Sequence, residues 1–336
     1  MHSGIANGKR RFAGMTLIEL MVALAIGSFL MIGAVTVFMQ SRTTFRVTES
    51  VARLQENARF VLDVLEPDIR MAQFFGLTAR PNKIQGRATA ADPVVIAVAS
   101  DCDNNWSVDL ASPVDGTNNG FGWVCAPFGA AQAASDTLVV RRVAEDPDPA
   151  PDAGTLYVQS ARFQDSLVYE GPGLAPGYDP AISQAHQLVV NGYYVSQNSM
   201  LDTPGNNVPS LRVKTLVGGA GGVRVVDQEV LPGVEDMQIQ FGVDTDVLEA
   251  PNRGSVDRYV NPGDPILDPA SAAFIPTAEV LSVRVWLRMR AEQIEVGFND
   301  ATNYVYADQN VGPFNDTFRR VLVSKTIYLR NARPPL

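Results

Sequence analysis

The chain has 336 residues, of which 46% are apolar, and a formal net charge of −9. That apolar share is ordinary for a folded protein and argues against disorder over most of the length. The acidic balance argues against general nucleic-acid binding, which rests on neutralising phosphates, so no nucleic-acid partner is expected.

The first patterned segment is apolar. From Met15 to Met39 the only polar side chains are Thr16, Glu19, Ser28 and Thr36. As a helix this run is about 37 Å long, enough to cross a bilayer core. Lys9, Arg10 and Arg11 stand before it and favour a cytoplasmic N-terminus, with the bulk of the chain on the periplasmic side. The run is too long for an ordinary signal core, and no small-x-small cleavage site follows it. The small residue, Gly14, comes before it instead. Glu19 falls where hydrocarbon is expected. A charge there costs on the order of 3 kcal/mol, so the carboxylate calls for a partner.

The helical period continues past Met39. Phe45, Val51, Leu54, Ala58, Val61, Leu62, Leu65 and Ile69 recur at three- and four-residue steps, with charged residues opposite. Residues 41–75 therefore read as an amphipathic helix packed on a domain, continuous with a transmembrane half over 15–40. Pro67 predicts a kink or a restart, with Asp68 in the first turn of a new short helix.

Residues 76–336 read as a β-rich head. Strands are predicted over Pro93–Ala99, Thr137–Val143, Leu156–Tyr169 (a hairpin) and Leu188–Val195 (a strand pair or a bulged strand). Leu211–Val217 and Val223–Leu231 flank a Gly-rich turn and form a wide hairpin. Met237–Val243, Val280–Met289 and Arg320–Leu329 alternate as half-buried strands do. Leu281, Val283, Val285, Leu287 and Met289 make one face of the second of these. Val280, Ser282, Arg284, Trp286 and Arg288 make the other, and the arginines Arg284, Arg288 and Arg290 read as a solvent or interface face. The fold class is α+β: a long N-terminal helix whose amphipathic half covers one side of a C-terminal antiparallel sheet.

Cys102 and Cys125 are the two cysteines. Outside the inner membrane an oxidising compartment favours a disulfide between them; the alternative is two unpaired buried thiols. Asp101, Asp103, Asn104 and Asn105 resemble part of a calcium loop but lack its later Gly and Glu, so a solvated turn is preferred; Asp244 and Asp246 read the same way. No metal and no cofactor is expected. His186 stands alone beside a strand and reads as structural. Trp106, Trp123 and Trp286 read as packing. No nucleophile elbow, phosphate loop or metal-binding His pair appears, and an enzyme is not expected.

Basic leader, Gly14, Met15, then Thr16-Leu17-Ile18-Glu19 and the apolar run resemble the type IV prepilin signature. The resemblance implies removal of a leader, residues 1–14, by prepilin peptidase between Gly14 and Met15. It also implies N-methylation of Met15, and pairing of Glu19 with the N-terminal amine of a neighbouring subunit. The blocks at 56–77, 231–246, 281–291 and 318–333 are similar to PilW-type minor pilins. In that family the helix end often reads Ala-Gly-x-x-Gly-Cys; here Gln73 and Leu77 stand at the second and last of those places. The resemblance implies a minor pilin that primes type IV pilus assembly and forms part of a tip complex. Its implied partners are other minor pilins, the major pilin, the peptidase and a tip adhesin. The chain would sit in the inner membrane as a single-pass protein with a periplasmic domain, then in the pilus at the cell surface. A minor pseudopilin of a type II secretion system is the nearest alternative. A membrane-anchored periplasmic enzyme or ligand-binding protein is the alternative of another class.

Overall fold

The structure is a computed structural model that describes residues 14–78, 84–86, 96–103, 105–247 and 250–332. The chain divides into two units, the first ending at Ala52 and the second beginning at Arg53. Helix α1 runs Leu17–Arg70 and is followed by β1 (Ile84–Gln85), β2 (Val114–Asp115), β3 (Leu138–Val143), β4 (Leu156–Ala161), β5 (Ser166–Glu170), β6 (Ser183–Ser196) and β7 (Ser210–Val217). The last third adds β8 (Arg224–Pro232), β9 (Val234–Asp244), β10 (Arg258–Val260), β11 (Glu279–Arg290), β12 (Tyr304–Tyr306), β13 (Gln309–Val311) and β14 (Arg320–Tyr328). This is the α+β arrangement, a long apolar helix followed by antiparallel sheets.

In the first unit every side chain of α1 from Leu17 to Met39 is exposed, including Phe29, Leu30 and Met31. An apolar surface of that kind is unstable in water and is long enough to cross a membrane.

In the second unit the stripe Leu54, Ala58, Val61, Leu65 and Ile69 is buried in one core with Met237, Ile239, Phe241, Val283, Val285 and Leu287. Those six come from a four-stranded sheet ordered β10-β9-β11-β14. Only the part of the stripe from Leu54 onward is buried; Phe45 is exposed. The helix runs through Pro67 to Arg70 without a restart, so the expected break is corrected. Leu65 and Ile69, on either side of the proline, are both fully buried, and this packing holds the last turn helical. The helix also ends at Arg70 rather than near Phe74. The turn that follows is closed by Met71 N–H to the Pro67 carbonyl and by Ala72 N–H to the Ile69 carbonyl.

The second sheet has eight strands, with the path β1-β5-β4-β6-β3-β2 and β7 and β8 attached through β6. The 188–195 segment is neither a pair nor bulged. It belongs to one long strand, β6, that pairs in turn with β4 over Ser183–Gln187, β3 over Leu188–Tyr193 and β7 over Asn191–Ser196. Both faces of this sheet are buried. Leu138, Val140, Tyr193 and Val195 join the helix-side core, while Val139, Leu188 and Val190 face a second core with Phe75, Trp106 and Leu110. Gly192 on β6 is required there, because a Cβ would lie 2.6 Å from the Trp106 ring and 2.8 Å from that of Trp123. Of the strand expected over Pro93–Ala99, residues 93–95 lie outside the described residues and 96–99 form no strand, a correction; Ala99 makes only a single parallel bridge with Arg224.

The polar face of β11 is not simply a solvent face. Ser282 and Arg288 are buried: Ser282 lies beside Gly242 and the segment carrying Val256 and Tyr259, and the chain between β11 and β14 folds back over Arg288. Arg288 donates to Glu235 at 2.9 Å and to Tyr306, and lies under the Phe314 ring. Arg320 on β14 reaches Glu235, Asp300 and Asp316 at 2.6 to 3.0 Å. Removing either arginine would strand buried carboxylates, which is where such networks become costly.

Candidate functional site

The start of α1 is built by two side chains. Glu19 Oε2 accepts the Thr16 N–H at 2.9 Å and the Thr16 hydroxyl at 2.9 Å, while the Thr16 hydroxyl oxygen accepts the Glu19 N–H at 3.3 Å. This reciprocal arrangement is a capping box, which satisfies two of the donors a helix leaves open at its N-terminus. Thr16-x-x-Glu19 carries the capping-box pattern in the sequence itself. Both bonds from Thr16 land on Oε2, leaving Oε1 open to a further cation. Gly14 and Met15 precede the helix and are exposed.

At the other end of α1 the helix is tied to both sheets. Asp68 Oδ1 accepts Arg142 Nε at 2.7 Å; Oδ2 accepts Asn191 Nδ2 and the Tyr193 hydroxyl, each at 2.9 Å. An acid in the last helical turn opposes the helix dipole, and these three donors offset that. Tyr193 is held protonated well above its usual range, by burial first and then by the Asp68 charge. Glu66, two residues earlier along the same helix, accepts Lys325 Nζ of β14 at 2.5 Å. That bond is the first cause of its lowered carboxyl pKa. Arg330 N–H bonds the Arg70 carbonyl at 2.9 Å. A pull along the last turns of α1 is therefore carried into both sheets.

Cys102 and Cys125 form a disulfide with Cα atoms 4.4 Å apart. Trp106 and Trp123 pack edge to face beside it, over β6. Asp101 does not present itself to a cation: one carboxylate oxygen accepts from Cys102 N–H and from both the N–H and hydroxyl of Ser107. Asn104 lies outside the described residues. Asp244, Asp246 and Asp257 each place an oxygen within 4.8 Å of the others. Asp244 already accepts the N–H groups of Asp246 and Gly254, and Asp257 that of Thr245, so these carboxylates organise their own loop. His186 is buried, with Nδ1 3.0 Å from the Ala144 carbonyl and the ring edge-on to Phe74; burial pushes its pKa down. It packs within the head.

These features, an exposed apolar helix with a capped acidic start and a β-rich head, define a type IV pilin-like protein anchored by its N-terminal helix. Residues 9–35 match the model of the prokaryotic N-terminal methylation motif, and residues 192–331 match that of the type IV pilus-assembly protein W family. With matches at both ends, the chain is similar to type IV pilins at its start and to the type IV pilus-assembly protein W family over residues 192–331. No curated protein and no solved structure matches it.

Proposed function

We propose that this chain is a minor subunit of the type IV pilus that primes assembly and takes part in the tip complex, acting through contacts and not catalysis. The observation that carries this is the capped, acidic start of a bilayer-length apolar helix, directly behind the exposed Gly14–Met15 bond and in a chain with the two family matches. Prepilin peptidase removes residues 1–14, and the new amine of Met15 is methylated. In the filament, Glu19 offers Oε1 to the Met15 ammonium of a neighbouring subunit while Oε2 stays in its own capping box. Two charges that are each costly in lipid cost much less as a pair. The apolar part of α1 packs among other pilin helices, and the head meets neighbouring heads, with other minor pilins, the major pilin and a tip adhesin as partners. The protein waits in the inner membrane with its head in the periplasm before entering the pilus.

N-terminal mass analysis of sheared pili tests this. The expected chain begins at methylated Met15 and is absent from pili of a peptidase-deficient strain. A chain that begins at Met1 in pili overturns the reading.

A further inference from the structure

The four-stranded sheet has two edges, and they are finished differently. The β9 edge is sealed. β10 pairs with Phe241–Val243, and the segment before β3 covers the rest: Asp136 N–H bonds the Met237 carbonyl, and the Asp136 carboxylate accepts Ile239 N–H at 2.8 Å. Among the described residues the β14 edge carries no strand.

The register shows which groups β14 leaves open. Leu329 N–H bonds the Leu281 carbonyl and Ala291 N–H bonds the Arg319 carbonyl, so the odd-numbered residues exchange bonds with β11. In an antiparallel pair the intervening residues then point N–H and C=O away. Those residues are Leu322, Ser324, Thr326 and Tyr328, and no backbone partner for them appears among the described residues. Ser324 and Tyr328 are exposed.

Edges of this length are normally blunted by a bulge, a proline or an outward lysine. The β11–β14 register is unbroken over its whole length, and β14 has no proline. Its one lysine, Lys325, is turned to Glu66 on the helix.

We propose that the β14 edge is a docking site for an extended segment of a different protein chain, added antiparallel as a fifth strand of this sheet. Charge selects the segment. Arg70 and Arg330 are both exposed where β14 ends, their main chains joined by the Arg330 N–H to Arg70 carbonyl bond; Arg70 and Lys325 share the single carboxylate of Glu66. The incoming strand thus carries Asp or Glu at its N-terminal end, followed by alternating apolar and polar residues. A second copy of β14 does not meet this demand, because Arg320–Asn331 contains no Asp or Glu. The inference does not depend on the pilus reading.

The test uses the full-length protein in detergent and a short acetylated peptide that opens with Asp-Glu and continues in alternating Val and Thr. Hydrogen exchange is followed at single amides. The amides of Leu322, Ser324, Thr326 and Tyr328 are expected to slow at least about tenfold with peptide, while those of the odd-numbered residues, already bonded to β11, change little. Ser324→Pro removes one outward N–H where proline is tolerated on an edge strand, and should abolish the protection. Arg330→Glu leaves the backbone intact and should reverse the preference, from the Asp-Glu peptide to one opening with Lys-Lys. Equal protection of odd and even amides, an unaltered response in both variants, or protection that rises with protein concentration without peptide each overturns the proposal; the last would mean a second copy occupies the edge.

Discussion

Asp68, in the last turn of α1, lies 2.7 Å from Arg142 Nε on β3 and accepts two further bonds from β6. It is the one acid of the helix that is buried, and it joins the element inherited from the membrane run to the eight-stranded sheet. Asp68→Ala leaves a guanidinium, an amide and a phenol facing a vacancy, and should cost about 3 kcal/mol. Asp68→Asn keeps two acceptor positions on one oxygen and should cost less. Denaturant unfolding of the detergent-solubilised protein checks this; an alanine variant as stable as the parent would remove Asp68 as the joint.

Gln73 has φ of 65°, in the left-handed region that favours glycine, and its N–H bonds the Arg141 carbonyl. It stands at a place where the resembled family often has Gly. Gln73→Gly should relieve the backbone and stabilise the fold by about 0.5–1 kcal/mol, net of the extra freedom glycine gains when unfolded. Gly76 has no such freedom to change. It too has positive φ, and a Cβ there would meet the Ser160 hydroxyl at 2.5 Å, so Gly76→Ala should be strongly destabilising. Melting of the two variants should move in opposite directions.

The disulfide closes a loop with a sequence separation of 23 residues, whose Trp106 and Trp123 pack over Gly192. Loop closure of that size stabilises by about 3 kcal/mol. The Cys102→Ala, Cys125→Ala double variant should therefore melt lower, and reductant should have no further effect on it. A parent protein whose melting is indifferent to reductant would contradict this.

Much of the fold was legible because one-sided burial writes a period into the sequence. The stripe from Leu54 to Ile69 and the odd-numbered positions of β11 are such cases, and both lie in the core they predict. The reading failed where a second layer covers the other face. Arg288 looks solvent-facing by alternation, yet Tyr306 and Phe314 arrive from a segment that carries no period of its own. Strand β6 is buried on both faces over much of its length, so Leu188–Val195 shows no alternation to parse and reads as a strand pair or a bulged strand. Asp68 was placed by a local rule about proline, whereas its position is decided by three donors far away in the chain. At the candidate site, Glu19 stood out by its charge and Thr16 did not, although the box needs both.

Asp136 gives the head a pH dependence. Its two oxygens accept Asn119 N–H and Ile239 N–H, and burial raises its pKa from 3.8 to about 7, with Asp308 and Asp236 adding to the rise. The folded state then holds a proton that the unfolded state gives up. Stability from this group is present below the unfolded value and is lost as pH rises through about 7. Glu279, also raised to about 7 by burial, acts in the same sense. The lowered carboxyls Asp227 and Asp316 titrate below this window. His186, whose pKa is lowered, opposes the effect below its unfolded value. The isolating measurement is a difference. Between about pH 5 and pH 7.5 the parent should lose on the order of 3 kcal/mol more than Asp136→Asn, whatever the variant's absolute stability. Parallel profiles would mean that Asp136 does not hold the proton.

Glu19 has two tasks that a glutamine separates. In the capping box its side-chain oxygen accepts the Thr16 N–H, and Gln serves there as well as Glu. In the proposed assembly contact the open Oε1 must carry charge to meet a neighbour's ammonium, and Gln cannot. Glu19→Gln should therefore preserve the helix start and permit removal of residues 1–14, yet enter pili as poorly as Glu19→Ala. Thr16→Val, which breaks the hydroxyl half of the box and keeps the carboxylate, should enter pili far better than either. Quantifying each variant in sheared pili against its processed pool in the membrane decides the matter. If Gln restores entry to the level of Glu, capping is the whole role of this residue and the intersubunit charge pair is wrong.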